Sequence, residues 1–233
     1  MFETFSNEKP VNPNYHIISA REPMGIVAEQ YRKLRTNIEY SNLDNPVKIM
    51  NLTSSSQGEG KTVTALNLAT VYAQGETKTL IIDLDLRRPK IHRAFNISNT
   101  KGIVDVVLKA EEVENVIHQS SEFLHVLPAG AKVPFPAEFL MSRKLKTFIQ
   151  SLRKSYDKII IDTPPLTAVT DASLVTSFVD GTIMVIASRQ TKLDVAESVV
   201  KTLKENHANI IGAVMTRVRR KDHRYMNYYY QYD

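Results

Sequence analysis

The run VKIMNLTSSSQGEGKTVTALNLATVYAQG, residues 47–75, carries three kinds of local order in succession. Its first six residues, VKIMNL, form a short apolar stretch suited to a strand buried on both faces. SSSQGEGKT (54–62) follows. Its end matches the pattern G-x-x-x-x-G-K-[ST], with Ser55 where the first glycine usually stands. The mechanics survive that departure. Gly58 and Gly60 permit a tight loop whose backbone N–H groups approach phosphate oxygens. The helix that begins near Lys61 aims its positive end at the same point. Lys61 then reaches the β- and γ-phosphates, and Thr62 offers its hydroxyl to Mg²⁺. TVTALNLATVYAQG (62–75) reads as that helix, with Gly75 as its C′ residue.

Outward from this unit the chain keeps alternating. GIVAEQYRKLRTNIEYSN (25–42) has one apolar stripe at Ile26, Val27, Tyr31, Leu34 and Ile38 and is expected to be helical. KTLIIDLD (78–85), FLHVLPAG (123–130), KIIIDTPP (158–165), TIMVIAS (182–188) and NIIGAVMTRV (209–218) read as strands. PAEFLMSRKLKTFIQSLRKSYD (136–157), DASLVTSFVDG (171–181) and KLDVAESVVKTLKENH (192–207) read as helices between them. Strands alternating with helices predict an α/β fold, a mainly parallel sheet flanked by helices. The expected organisation is an extended arm over 1–22, one domain over 23–216, and a basic, tyrosine-rich tail over 217–233.

Composition narrows the chemistry. The chain has 233 residues, 42% of them hydrophobic, which suits one large domain. It has no cysteine, which removes disulfides, thiolate nucleophiles and zinc–thiolate sites. No apolar run approaches the roughly 20 residues that span a bilayer, and the N-terminus lacks a signal-peptide core. A cytoplasmic protein is expected, meeting membranes through a partner. The net charge is +5. Arg217, Arg219, Arg220, Lys221 and Arg224 against Asp222 and Asp233 put +3 of it in the tail. Five of the ten tyrosines lie there too: Tyr225, Tyr228, Tyr229, Tyr230 and Tyr232.

In such sheets ligands bind beyond the carboxyl ends of the strands, and carboxylates stand there. Asp83 and Asp85 close LIIDLD, and Asp162 closes IIID. Each alone reads equally as a turn former or a metal-side ligand; together beside a phosphate loop they favour the metal. On an extended strand Asp83 and Asp85 point the same way, so one can orient metal-bound water while the other takes a proton.

SSSQGEGKT, LIIDLDLRRP, IIIDTPP and the tyrosine tail together resemble the bacterial tyrosine kinases of capsule and exopolysaccharide synthesis. These are P-loop NTPase-fold relatives of the Min/Par partition ATPases. The resemblance runs from about residue 20 to the end. It implies ATP and Mg²⁺ as cofactors. It implies nucleotide contacts at Gly58, Glu59, Gly60, Lys61, Thr62 and Val63. Thr62, Asp83 and Asp162 would serve the metal. Lys61, Asp83, Asp85 and Asp162 would be catalytic, with Asp83 the first choice as base. Thr216 stands where relatives often carry an adenine-reading asparagine. The tail tyrosines would be phosphoacceptors in cis or trans. Glu29, Arg32 and Arg35 match E-x-x-R-x-x-R, which in the family mediates a ring-shaped homo-oligomer; without the resemblance they read as a charge ladder on an exposed helix. The implied partners are a membrane-embedded activator of the polysaccharide co-polymerase kind and a cognate tyrosine phosphatase.

Two other readings stand beside this one. A partition-type ATPase would switch oligomers without kinase activity, but such proteins carry an early loop lysine where this chain has Ser56. A nucleic-acid-binding tail would use its arginines and stacking tyrosines; no specific nucleic acid is expected.

Overall fold

A computed structural model describes residues 17–41, 43, 45–166 and 171–219. Seven strands form one sheet: β1 (Ile49–Ser54), β2 (Thr79–Asp83), β3 (His118–Gln119), β4 (Leu124–Leu127), β5 (Lys158–Asp162), β6 (Gly181–Ala187) and β7 (Ile210–Thr216). Their order is β3-β4-β2-β5-β1-β6-β7. Every pairing is parallel except β3 with β4, an antiparallel edge. The helices are α1 (Ile18–Arg21), α2 (Ile26–Ser41), α3 (Lys61–Gln74), α4 (Ile91–Ala94), α5 (Ile103–Lys109), α6 (Pro136–Met141), α7 (Arg143–Ser151), α8 (Asp171–Thr176) and α9 (Leu193–Glu205).

Strand alternation sorts the core into two layers. Met50, Leu52, Ile81 and Ile160 face α3 and, with Ala65, Leu66, Leu68 and Ala69, make one. Ile49, Leu80, Ile82, Ile159 and Ile161 face the opposite way, onto α5, α6 and α7. Burial of both faces explains why these strands read as unbroken apolar runs. Helix α3 is buried almost all round, with 12 of its residues inside. Small Ala and Thr side chains let it lie close to the sheet, which fixes where its N-terminus points.

Several expectations need correction. Residues 17–22 do not extend as an arm: Ile17 is buried, and α1 docks on α3 through Ser19 N–H to Asn67 Oδ1 (2.9 Å) and Gln74 Nε2 to Ser19 O (2.7 Å). Residues 1–16 lie outside the described residues. The helix expected over 136–157 breaks at Ser142, which is extended and whose Oγ accepts Leu145 N–H as the N-cap of α7. Gly75 is not left-handed; its φ is −92°, and Glu76 takes the left-handed position at φ 57°. A Cβ at Gly75 would instead collide with the Arg35 guanidinium. The strand expected through Asp85 stops at Asp83, so Asp85 is placed by a turn rather than by strand alternation.

Candidate active site

The carboxyl ends of β1, β2 and β5 meet at one point because the three strands are neighbours and parallel. Register puts Asp83 beside Asp162 and Leu52 beside Asp162. The loop after β1 runs over that point and enters α3. Gly58 (φ 79°) and Gly60 (φ 92°) hold left-handed conformations that an L side chain rarely adopts. At Gly60 a Cβ would also press on Thr216.

Lys61 and Thr62 turn inward. Lys61 Nζ lies 2.5 Å from Asp162 Oδ1, and Thr62 Oγ1 donates to Asp162 Oδ2 at 2.7 Å. Lys61 is 7% exposed and Asp162 1%, so this is a buried pair. One carboxylate thus holds both side chains that a phosphate loop offers to a nucleotide. Asp83 is fully buried and caps the turn into α4: Oδ2 accepts Lys90 and Ile91 N–H (2.8 and 2.9 Å), and Oδ1 accepts Asp85 N–H (3.1 Å). Burial, then the charge of Asp162, push the Asp83 carboxyl up to about 7, against the amides and Lys61. Burial also raises the Asp85 carboxyl, with Lys61 opposing; its Oδ1 accepts Arg88 N–H at 3.1 Å.

The structure therefore brings together Gly58, Glu59, Gly60, Lys61, Thr62, Asp83, Asp85 and Asp162. Val63 follows on α3, half-buried. Thr216, at the end of β7, donates Oγ1 to Glu59 O at 2.6 Å, which ties it to the phosphate loop. Glu29, Arg32 and Arg35 sit elsewhere, on α2. Glu29 pairs with Arg32 (2.7 Å), Arg32 Nη1 donates to Pro23 O (2.8 Å), and Arg35 Nη1 donates to Val71 O (2.7 Å). Val71 lies ten residues along α3 from Lys61, about 15 Å at 1.5 Å per residue. Tyr225, Tyr228, Tyr229, Tyr230 and Tyr232 lie outside the described residues.

Several contacts at the site were not expected from the sequence. Arg88 Nη1 donates to Gln57 Oε1 (2.9 Å), reaching the phosphate loop from the turn after β2. Thr191 Oγ1 donates to Glu59 Oε1 (2.5 Å). Arg217 bonds both Gln190 and the loop. Their only sequence signal was position just past an apolar strand.

Among the described residues no group of three His, Cys, Asp or Glu side chains could hold a metal by itself. The donor set still fits a nucleotide-borne Mg²⁺, which keeps several waters and takes few protein ligands: Thr62 Oγ1 and the Asp162 carboxylate lie in contact, with Asp83 behind them.

A glycine loop on a helix N-terminus, with acidic ends of two adjacent parallel strands, defines an ATPase-type phosphate site of the P-loop class. Comparisons narrow the class. The family model described as AAA domain matches residues 47–214. Tyrosine-protein kinase YwqD of Bacillus subtilis is 39% identical over 92% of this chain and 91% of its own. The kinase domain of the Escherichia coli tyrosine kinase ETK superposes with a TM-score of 0.81, at 29% identity over 87% of this chain and 82% of that one. A plasmid partition protein of Borrelia burgdorferi, 18% identical with a TM-score of 0.58 over 78% of this chain and 87% of its own, shares the fold alone. The chain belongs to the bacterial tyrosine-protein kinases with an AAA-type ATPase domain.

Proposed function

We propose that this chain transfers the γ-phosphoryl group of ATP to tyrosine hydroxyls, those of its own 217–233 tail among them, and so regulates capsule or exopolysaccharide synthesis and export. The observation that carries the reading is the convergence of Lys61 and Thr62 on Asp162 beside Asp83 and Asp85. Such transfer asks for positioning and charge neutralisation more than covalent chemistry. Lys61 leaves Asp162 to stabilise phosphate charge, and the loop amides with the α3 N-terminus add to it. Mg²⁺, when bound, neutralises phosphate charge near Thr62 and Asp162.

Asp83 accepts the phenolic proton as the tyrosine oxygen bonds to phosphorus and the bond from phosphorus to the ADP oxygen breaks. A phenol near pKa 10 arrives protonated, and a carboxyl poised near neutrality is matched to that task. The three amides already on Asp83 favour a second reading, in which Asp85 takes the proton and Asp83 orients the turn. Asp85→Asn separates them. On the first reading it keeps a pH profile with an apparent pKa near that of wild type; on the second it loses the alkaline rise in kcat.

No described helix is long and apolar enough to cross a membrane. Recruitment to the membrane is assigned to an embedded activator, and assembly to a ring that uses Glu29, Arg32 and Arg35, the last also bonded to the Val71 carbonyl. A tyrosine phosphatase would reset the tail. Each phosphate adds about −1.5 to −2 charges, so two or three outweigh the tail's +3.

The test is incubation with Mg²⁺-ATP and activator, followed by mass spectrometry for phosphotyrosine and an ATP-hydrolysis assay. Modified tail tyrosines that vanish in Lys61→Met support the reading. Normal hydrolysis with an unmodified tail overturns it in favour of the ATPase switch.

A further inference from the structure

The phosphate loop is held from behind. Thr216 Oγ1 donates to Glu59 O at 2.6 Å. Arg217 then takes a left-handed φ of 57°, uncommon for a residue with a side chain. That turn swings its guanidinium back over the loop. Nη2 donates to Gly58 O and Nη1 to Gln190 Oε1, each at 2.5 Å. On the other flank, Thr191 Oγ1 donates to Glu59 Oε1 and accepts Ala187 N–H. Segments 187–191 and 216–217 thus grip residues 58 and 59.

Peptide planarity gives this grip a consequence. In a trans peptide the carbonyl and the following N–H point in opposite directions. Fixing Gly58 O on Arg217 therefore aims Glu59 N–H away from Arg217, and fixing Glu59 O on Thr216 aims Gly60 N–H. These are consecutive donors of the loop that cradles phosphate. The cation on Gly58 O also polarises that peptide, strengthening its N–H as a donor.

We propose that Arg217 is a positioning residue for the phosphate loop, and that through it the root of the tail and the bound nucleotide are coupled. The inference rests on the reading of residues 54–62 as the nucleotide site. A partner or phosphate that draws the chain beyond Arg217 outward releases Gly58 and weakens nucleotide binding. By linkage, bound nucleotide holds Arg217 in place with the same coupling energy. The chain from Arg217 to Tyr225 spans at most about 29 Å at about 3.6 Å per residue, so engaging Tyr225 farther than that from Arg217 requires Arg217 to leave the phosphate loop.

The experiment uses the full chain with Mg²⁺ and a fluorescent ADP analogue. Kd and dissociation rate are measured for wild type, Arg217→Ala and Arg217→Lys, with nucleotide-free thermal melts and amide hydrogen exchange over 216–219. Removal of one charge-assisted, exposed bond pair is expected to weaken ADP about 3- to 10-fold, with the nucleotide-free melt unmoved and Lys recovering part of the loss. ADP should slow exchange over 216–219 in wild type and not in Arg217→Ala. Equal Kd values in all three proteins overturn the proposal, as does a weakened Kd that merely follows a lowered nucleotide-free melt. Wild type failing to bind the analogue overturns the nucleotide-site reading instead.

Discussion

Lys61→Met is the obvious inactivating change at a phosphate loop, and here it also removes half of a buried ion pair. Lys61 Nζ sits 2.5 Å from Asp162 Oδ1, with the two side chains 7% and 1% exposed. Breaking such a pair from one side costs about 3–5 kcal/mol, because the remaining charge stays buried without its partner. Two features reduce that figure. Methionine fills the volume of the lysine stem, and Thr62 Oγ1 still donates to Asp162 Oδ2. We expect a loss of about 2–4 kcal/mol in urea unfolding at pH 8 with chelator and without nucleotide. The pH dependence follows from Asp83. Its carboxyl is raised by burial and by Asp162, and Lys61 opposes the rise; without Lys61 the rise is larger. A carboxyl raised on folding favours the folded state below its unfolded value, and that contribution is lost as pH rises through the folded value. The mutant's deficit should therefore be largest above pH 7 and shrink toward pH 5, where Asp83 holds a proton. A deficit below about 0.5 kcal/mol at pH 8, the range of ordinary surface changes, would show that the contact contributes nothing to the free protein. A deficit that grows on acidification would refute the electrostatic argument.

Arg35→Ala should cost about 1–2 kcal/mol in urea unfolding, since its guanidinium satisfies the Val71 carbonyl near the end of α3. Glu29→Ala should leave stability within about 0.5 kcal/mol and instead lower the assembled mass by light scattering; an unchanged stability in Arg35→Ala would show that the Val71 contact contributes nothing to the free chain. Gly102→Ala should be the most damaging glycine change, costing about 3 kcal/mol or more by overpacking. Its Cβ would meet the Pro128 carbonyl oxygen and Gly130 N, both backbone, and soluble yield with a normal melt would refute this. Asp180 accepts Lys48 and Ile49 N–H and pairs with Arg153, which with those amides holds its carboxyl below the usual range despite burial. Its stabilisation is present above the unfolded pKa near 3.9 and lost as pH falls through the lower folded value. Asp180→Ala should therefore cost about 1–3 kcal/mol at pH 7, and the gap to wild type should close on acidification; a gap constant down to pH 3 would count against it.

The central strands were legible in the sequence because both their faces are buried, which turns them into apolar runs with polar ends. That is also why Asp83 and Asp162 could be located, as the first polar positions past those runs, while the glycine-loop pattern marked Lys61 and Thr62. What stayed hidden was whatever depends on one turn or one atom. Helix α4 is four residues long, too short for any period, yet the Lys90 and Ile91 amides at its start occupy Asp83 and so bear on which carboxylate is the base. The break at Ser142, whose Oγ caps α7, stood inside what reads as one continuous helical pattern. The motif at Glu29, Arg32 and Arg35 is regular in sequence and divided in space. Arg32 reaches the Pro23 carbonyl while Arg35 is turned onto α3, its place kept open by the absent Cβ of Gly75. A spacing of three cannot say which member faces a neighbour and which braces its own fold. If Arg35 braces α3, the helix proposed to present an assembly surface and the helix that carries Lys61 are tied together at that contact. Assembly that displaced α2 would then be felt at the phosphate loop through α3, with no contact between the two sites.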